Sequence, residues 1–463
     1  MAKSPKAPSR TIYKKKLRFI FVFTGIALVL KVLWLWGLLG HGLLGADGEN
    51  YLAGVDALDK EGLFSKASFL HYWPAGYPIF MWPLREIFGA FDVFIVGLVQ
   101  SIIFAIAIVF FSSELLKREL VNLTVPLAVF LNLSPTLSLN SVVIGYEVPT
   151  ASLLLISTTF LMRYLRNHKK TELLYASFSM SIASFMQPRI ILLAFGILFV
   201  FAIYSFKTRF AAGFLVLSLL IVSIAPGLLA IRNLQANDFL AVSTNLGVTM
   251  NIGAGDQATG GYSNDAKGVP CELVNTLNPA QKDSGLVRCV LTWYIDNPSK
   301  ATALFFKKFV YHWSPWFGPL SNGTTARNPW LNFNPLVNIA RNSEGGSAMI
   351  FGSIGKVISW LWFILGFALM FLGFRALIRR GGDSTILAWI LMVPVALNSA
   401  TSMGTIGDNR FRIPTLTLSV LLQGFGLLSI FQKREFREGL DGAQPPRVAL
   451  NWKSRSESDN LPT

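Results

Sequence analysis

The chain has 463 residues, of which 52% are hydrophobic and only 14% charged, whereas a soluble domain of this size carries nearer a quarter charged residues. The net charge of +16 argues for no nucleic-acid partner, because Lys and Arg gather in short clusters at the ends of apolar runs, as membrane topology requires. Several nearly charge-free runs of about 17 to 28 residues are long enough to cross the hydrocarbon core as helices. A soluble enzyme is excluded, and an all-α polytopic membrane protein surrounded by membrane lipids is predicted.

In chain order, residues 1–18 form a basic tail with Lys3, Lys6, Arg10, Lys14, Lys15, Lys16 and Arg18, which predicts a cytoplasmic N-terminus. The first run, Phe19 to Leu39, lacks a small-residue cleavage site and reads as a retained span rather than a signal peptide. Lys31 lies inside it. Snorkelling to the outer interface is the plain reading, and pairing with an acid or phosphate is the functional one.

An outer loop over residues 40–91 follows. It opens on Asp47 and Glu49, continues as an amphipathic stretch and closes on the aromatic–proline run Tyr72 to Pro78. Further spans are expected over Val93 to Phe111, Val121 to Leu137 and Val148 to Leu165. Leu173 to Met186 and Ile190 to Phe206 are short for full crossings and read as a shallow hairpin buried among other helices. Phe210 to Ile231 completes an N-terminal membrane module over 19–231.

Residues 232–348 form the longest polar region, placed outside, with a helical stretch from Leu286 to Trp313. Its aromatic end with paired lysines suits a helix lying at an interface. Cys271 and Cys289 both fall in this region, as a disulfide or as two unpaired thiols; the oxidising outer face favours the first. Met349 to Leu377, Ile386 to Ala400 and Ile413 to Phe431 complete a C-terminal module over 349–431. The count is about ten spans, with a cytoplasmic, polar and disordered tail over 432–463.

This topology brings the polar clusters to one face: Asp47 with Glu49, Glu147, Arg189, Arg232 with Asn233, and Asp408 with Arg410 and Arg412. A carboxylate facing a hydroxyl can act as general base, and an arginine fork suits phosphate oxygens. Each has a plain alternative. Asp47 can cap a helix, Glu147 can complement a helix dipole, and Arg410 and Arg412 can anchor at the interface. His41, His71, His168 and His312 show no ligand spacing, so no metal site is predicted. No glycine-rich phosphate loop stands at a strand–helix junction, which argues against a cytoplasmic nucleotide site.

Several of these segments, in order, resemble the GT-C superfamily of membrane glycosyltransferases. The nearest likeness is to bacterial relatives of protein O-mannosyltransferases and of the aminoarabinose and Rgt-type lipopolysaccharide sugar transferases. The likeness rests on Asp47-Gly-Glu-Asn-Tyr51 and Tyr72-Trp-Pro-Ala-Gly-Tyr-Pro78, on Ser134-Pro135 through Glu147, and on Gln187-Pro188-Arg189. It continues through Pro226 to Asn233, Ser243-Thr-Asn245, Asn297-Pro298 and Gly407-Asp-Asn-Arg-Phe-Arg-Ile-Pro414.

The resemblance implies a GT-C type fold with juxtamembrane helices in its outer loops. It also implies inverting transfer of a sugar from a polyprenyl-phosphate donor at the outer face of a bacterial cytoplasmic membrane. Asp47 is the implied base, with Glu49 left as the alternative because Gly48 separates the two acids, and Glu147 a further catalytic acid. Arg232, Arg189, Arg410, Arg412 and Lys31 are candidate ligands of the donor phosphate. Tyr51, Tyr72, Tyr77 and Asn233 are candidates to shape the pocket. No cofactor is implied beyond the lipid-linked sugar, and dependence on a divalent metal is left open. Protein, glycolipid and cell-wall glycan are all open as acceptors. Two competing functions share the donor class: a transporter or flippase of lipid-linked sugars, and a ligase or polymerase of lipid-linked glycans.

Overall fold

The structure is a computed structural model that describes residues 10–39, 43–44, 47–89, 92–117, 121–138, 140–208, 212–261, 268–273, 277–313 and 353–431. The expectations for the extreme N-terminal tail, for 314–352 and for 432–463 lie outside these residues. Within them the chain is an all-α membrane fold, and the described part of nine of the ten apolar runs falls on a single helix. The long helices are α1 (Arg10–Leu39), α4 (Asp92–Leu115), α7 (Glu147–Asn167), α8 (Lys170–Met186), α9 (Ile190–Thr208), α10 (Ala212–Asn237), α14 (Ser353–Arg380), α15 (Gly382–Gly404) and α16 (Ile413–Phe431). The Val121 run is split between α5 (Val121–Leu133) and the single turn α6 (Pro135–Ser138). Five helices are long and apolar enough to cross a membrane: Val93–Leu115, Glu147–Asn167, Gly213–Asn237, Gly382–Gly404 and Arg410–Phe431.

Two cores hold the bundle. One joins α4, α5, α7, α14, α15 and α16 around Phe104, Phe111 and Phe425; the other joins α7, α8 and α9 around Met180, Ile197 and Phe201. The expected buried hairpin of α8 and α9 needs correction. They are helices of 17 and 19 residues, and α9 leaves Leu192, Phe195, Phe199 and Ile203 exposed. That spacing is one unbroken helix face, apolar and without protein cover, as a lipid-facing surface requires.

The polar segments carry the shorter helices α2 (Gly48–Glu61), α3 (Gly76–Phe88), α11 (Leu246–Ile252), α12 (Pro279–Asp296) and α13 (Pro298–Trp313). The stretch read as one helix to Trp313 is two, because Pro298 has no amide to continue α12 and instead opens α13. On α2, Tyr51, Val55 and Leu58 are buried. The first two pack with Tyr77 and Met81 of α3, the i, i+4 spacing of two amphipathic faces meeting. Gly76 explains part of the aromatic–proline run, since a Cβ there would collide with the carbonyl oxygen of Phe185 at the end of α8.

One small element ties the segment before α2 to the segment before α7. Leu43–Leu44 (β1) pairs in parallel with Val143–Ile144 (β2), with Leu44 opposite Ile144. Asp47 and Glu147 each follow three residues after that pair. The bridge thus brings together the two chain segments that lead to these acids.

Candidate functional site

Asp47 occupies the N-cap position of α2 but makes no side-chain cap hydrogen bond, which disposes of the capping alternative. Its Oδ2 instead lies 2.6 Å from Nη2 of Arg410. Glu147 opens α7, and its Oε1 lies 3.3 Å from Nε of the same arginine. Arg410 sits in a short 3-10 turn, Asn409–Arg412, between α15 and α16. Asp408 caps that turn by accepting from the Arg410 amide at 2.9 Å. Three chain segments thus converge on one guanidinium, and the side chains of Asp47, Glu147 and Arg410 are 15%, 12% and 11% exposed.

Beside this triad lies a cavity of about 1200 Å³, walled by Asp47, Tyr51, Tyr72, Trp73, Tyr146, Arg189, Asp408 and Arg410, with Asn50, Asn245 and Thr249 adding polar groups. Arg189 stands at the break between α8 and α9. It donates from Nη2 to the Phe411 carbonyl at 3.2 Å and stacks its guanidinium 4.2 Å over the Phe411 ring. Its Nε is buried and has no hydrogen-bond partner among the described residues. Burial pushes this guanidinium below its ordinary value, with Arg410 opposing its charge as well. Burial also pushes the Tyr146 hydroxyl up to about 12. Tyr51 is raised too, by burial first and then by Asp47. Both phenols are therefore O–H donors at neutral pH.

The other sequence candidates lie elsewhere. Glu49 is exposed on α2 and does not line the cavity. Arg232 is buried in α10 with its fork occupied by carbonyls: Nε donates to Leu63 O at 2.9 Å, Nη1 to Leu70 O at 3.2 Å, and Nη2 to Ser65 O. Nη1 also reaches Asn233 Oδ1 at 2.8 Å, and Asn233 Nδ2 donates to Ala241 O at 2.7 Å. The pair clamps two loops onto the end of α10. Arg412 donates to Trp313 O at 2.8 Å and fixes the end of α13.

Lys31 does not snorkel. It is buried, donates to Ser141 Oγ at 3.3 Å and lies over the Phe104 ring. Tyr77 is fully buried behind the cavity, where it donates to Gln100 Oε1 at 2.7 Å and accepts from Gly145 N at 2.8 Å. Gln100 in turn donates to Val143 O at 2.9 Å. Lys31, Gln100 and Tyr77 thus hold the segment that carries Tyr146 and Glu147.

Of the twelve candidates, Asp47, Arg189, Arg410, Tyr51 and Tyr72 line the cavity, and Glu147 joins them through Arg410. Tyr146 and Asn50 escaped the sequence reading. Adjacency to Glu147 and Tyr51 was the available signal. Among the described residues no three His, Cys, Asp or Glu side chains converge as metal ligands. Cys271 and Cys289 are joined as a disulfide that ties the 268–273 segment to α12.

No protein-family model matches the chain, and no curated protein matches it. Among solved structures it is similar to the archaeal oligosaccharyltransferase AglB from Archaeoglobus fulgidus, determined with an inhibitory peptide and a dolichol-phosphate. The match has 12% identity and a TM-score of 0.42, and it covers 90% of this chain and 51% of that one. The chain spans about half the length of that structure.

Proposed function

We propose that the protein is a membrane glycosyltransferase of GT-C type that moves a sugar from a polyprenyl-phosphate donor to an acceptor hydroxyl on the extracytoplasmic face of a bacterial cytoplasmic membrane. The observation that carries this reading is the Asp47–Arg410–Glu147 triad at the wall of a large cavity that also presents Arg189. A carboxylate beside an open volume can take the proton of an incoming hydroxyl. Two guanidiniums within the same wall suit a phosphate that gains charge as it leaves.

In this mechanism Asp47 removes the acceptor proton, and the acceptor oxygen forms a bond to the anomeric carbon from the face opposite the phosphate. The bond from that carbon to the phosphate oxygen breaks, and its electron pair stays on the phosphate, held by Arg410 and by the unspent Nε–H of Arg189. Glu147 keeps Arg410 oriented when the phosphate draws it from Asp47. Leu192 and Leu246 support a donor arriving from the lipid side, because both line the cavity and are exposed. Leu192 also begins the bare apolar face of α9. The disulfide supports the outer placement, since such bonds persist in oxidising compartments, and α11 and α12 stand on the cavity side.

A second reading has one observation in its favour. The cavity exceeds the roughly 300–1,000 Å³ of ordinary small-ligand sites, which suits transfer of a whole lipid-linked glycan. The test uses the full-length protein in nanodiscs with a polyprenyl-phosphate hexose. Wild-type protein is expected to release free polyprenyl phosphate, and Asp47→Asn to slow that release by about 10²–10⁴-fold. An unchanged rate in Asp47→Asn overturns the mechanism, and product appearing only from a diphosphate-linked glycan replaces it with the second reading.

A further inference from the structure

A second cavity of about 420 Å³ lies against the first, with Tyr72 and Trp73 in the walls of both. Its remaining wall mixes ring and aliphatic faces with polar groups: Phe69, His71, Thr244, Lys282 and Asp283 stand out. Three of these groups, His71, Thr244 and Asp283, are held by hydrogen bonds. The Thr244 amide donates to the His71 carbonyl at 2.9 Å, and the His71 ring nitrogen Nδ1 lies 3.1 Å from Thr244 Oγ1. Asp283 accepts from the Gly247 amide at 2.6 Å, which locks α12 to the start of α11. The cavity lining therefore combines hydrogen-bonding groups held in place with the aromatic side chains of Phe69, Tyr72 and Trp73. It shares two half-buried aromatic side chains, Tyr72 and Trp73, with the Asp47 cavity.

From this juxtaposition we infer that the smaller cavity is the acceptor subsite, and that the acceptor it takes is a saccharide. The inference rests on the glycosyltransferase reading for its direction of transfer, though not for the chemistry of the wall. A sugar ring has apolar C–H faces that lie on aromatic rings, and hydroxyls at its rim that need donors and acceptors. Phe69, Tyr72 and Trp73 offer the first; Thr244, Asp283 and Lys282 offer the second. An acyl chain packed here would desolvate the Asp283 carboxylate and the Lys282 ammonium while offering neither a hydrogen-bond partner, which is costly. A ring seated against Trp73 adjoins the cavity that Asp47 lines, because Tyr72 and Trp73 wall both.

The test places the photoreactive residue p-benzoyl-phenylalanine at Phe69 in the full-length protein, in the membranes of the cells that make it. The same residue at Ile295, an exposed position on α12, is the control. After irradiation and proteolysis the adducts are oxidised with periodate and tagged with a hydrazide. Periodate-reactive adducts are expected at Phe69 in about tenfold excess over Ile295. Trp73→Ala is expected to reduce them by about tenfold, equivalent to about 1.4 kcal/mol, the scale of a buried aromatic contact. Thr244→Val, nearly isosteric, is expected to reduce them where Trp73→Ala fails to fold. Adducts that are peptide only, phospholipid only or absent at Phe69 overturn the inference. Capture does not need turnover, so saccharide captured by a protein that releases no polyprenyl phosphate would overturn the transferase reading and leave the subsite standing.

Discussion

Arg410 and Arg232 make an instructive pair. Both are buried arginines at the ends of long apolar helices, and both suit a phosphate on charge. Arg410 contacts two carboxylates at the wall of a cavity, and its charge is balanced by groups that a substrate can displace. Arg232 spends its donors on the carbonyls of Leu63, Ser65 and Leu70 and on Asn233. Each carbonyl would be left buried and unpaired if a phosphate drew the guanidinium away. An arginine's role follows from which of its hydrogen bonds are exchangeable, and residue type carries no sign of that.

The sharpest way to break this contrast is Arg410→Gln. It removes the shared partner of Asp47 and Glu147, and leaving buried charges uncompensated costs about 3–5 kcal/mol. Turnover is expected to fall by about 10²–10³-fold, with a large drop in melting temperature in the same preparation. A variant that keeps wild-type turnover would remove Arg410 from the site.

Arg232→Met tests the other half. A loss of about 2–3 kcal/mol of stability is expected from three stranded carbonyls, while the donor KM of the folded fraction stays within about twofold, well under the tenfold that 1.4 kcal/mol represents. A raised donor KM with unchanged melting would return Arg232 to the phosphate.

The disulfide offers a comparable but less local probe. Opening the Cys271–Cys289 loop, whose ends are 18 positions apart, is expected to cost about 3 kcal/mol, read as a lower melting temperature of the Cys271→Ser, Cys289→Ser double variant. Because Val269 N donates to Asn251 Oδ1 at 2.8 Å, the loss reaches α11 and the cavity wall. Donor KM is therefore expected to rise more than in Arg232→Met.

The smallest effect concerns pH. Lys308 on α13 is fully buried, with Nζ donating to Tyr294 OH at 2.7 Å, and burial lowers its ammonium from the ordinary 10.5 to about 7. Between those values the unfolded chain binds more protons than the folded one, so stability rises with pH through that window. Melting temperature is expected to climb from pH 7 toward pH 10, and Lys308→Met is expected to flatten the slope. A wild-type slope that falls with pH would contradict the burial account.

Much of the site was legible because its parts sit at the boundaries of apolar runs. A charge at a helix end stands out against a hydrocarbon-length segment, and in this way Asp47, Glu147, Arg189 and Arg410 were found. Lys31 and Tyr77 were found as well, but their place behind the wall was not. A buried network through Ser141 and Gln100 joins residues separated by 23 to 110 positions, and no local pattern encodes that. Arg232 misled for the same reason.

Composition and periodicity alone determined that this chain is a bundle of apolar helices with its acids and arginines gathered at the helix ends. Those features are local, and each follows from what a few consecutive side chains do in water or hydrocarbon. Only the tertiary structure decided which of the charges meet. The β1–β2 bridge brings together the segments that lead to Asp47 and Glu147, and the turn before α16 delivers Arg410 between them. Contacts between distant segments depend on packing geometry, where a displacement of a few ångströms separates an ion pair from a carbonyl clamp.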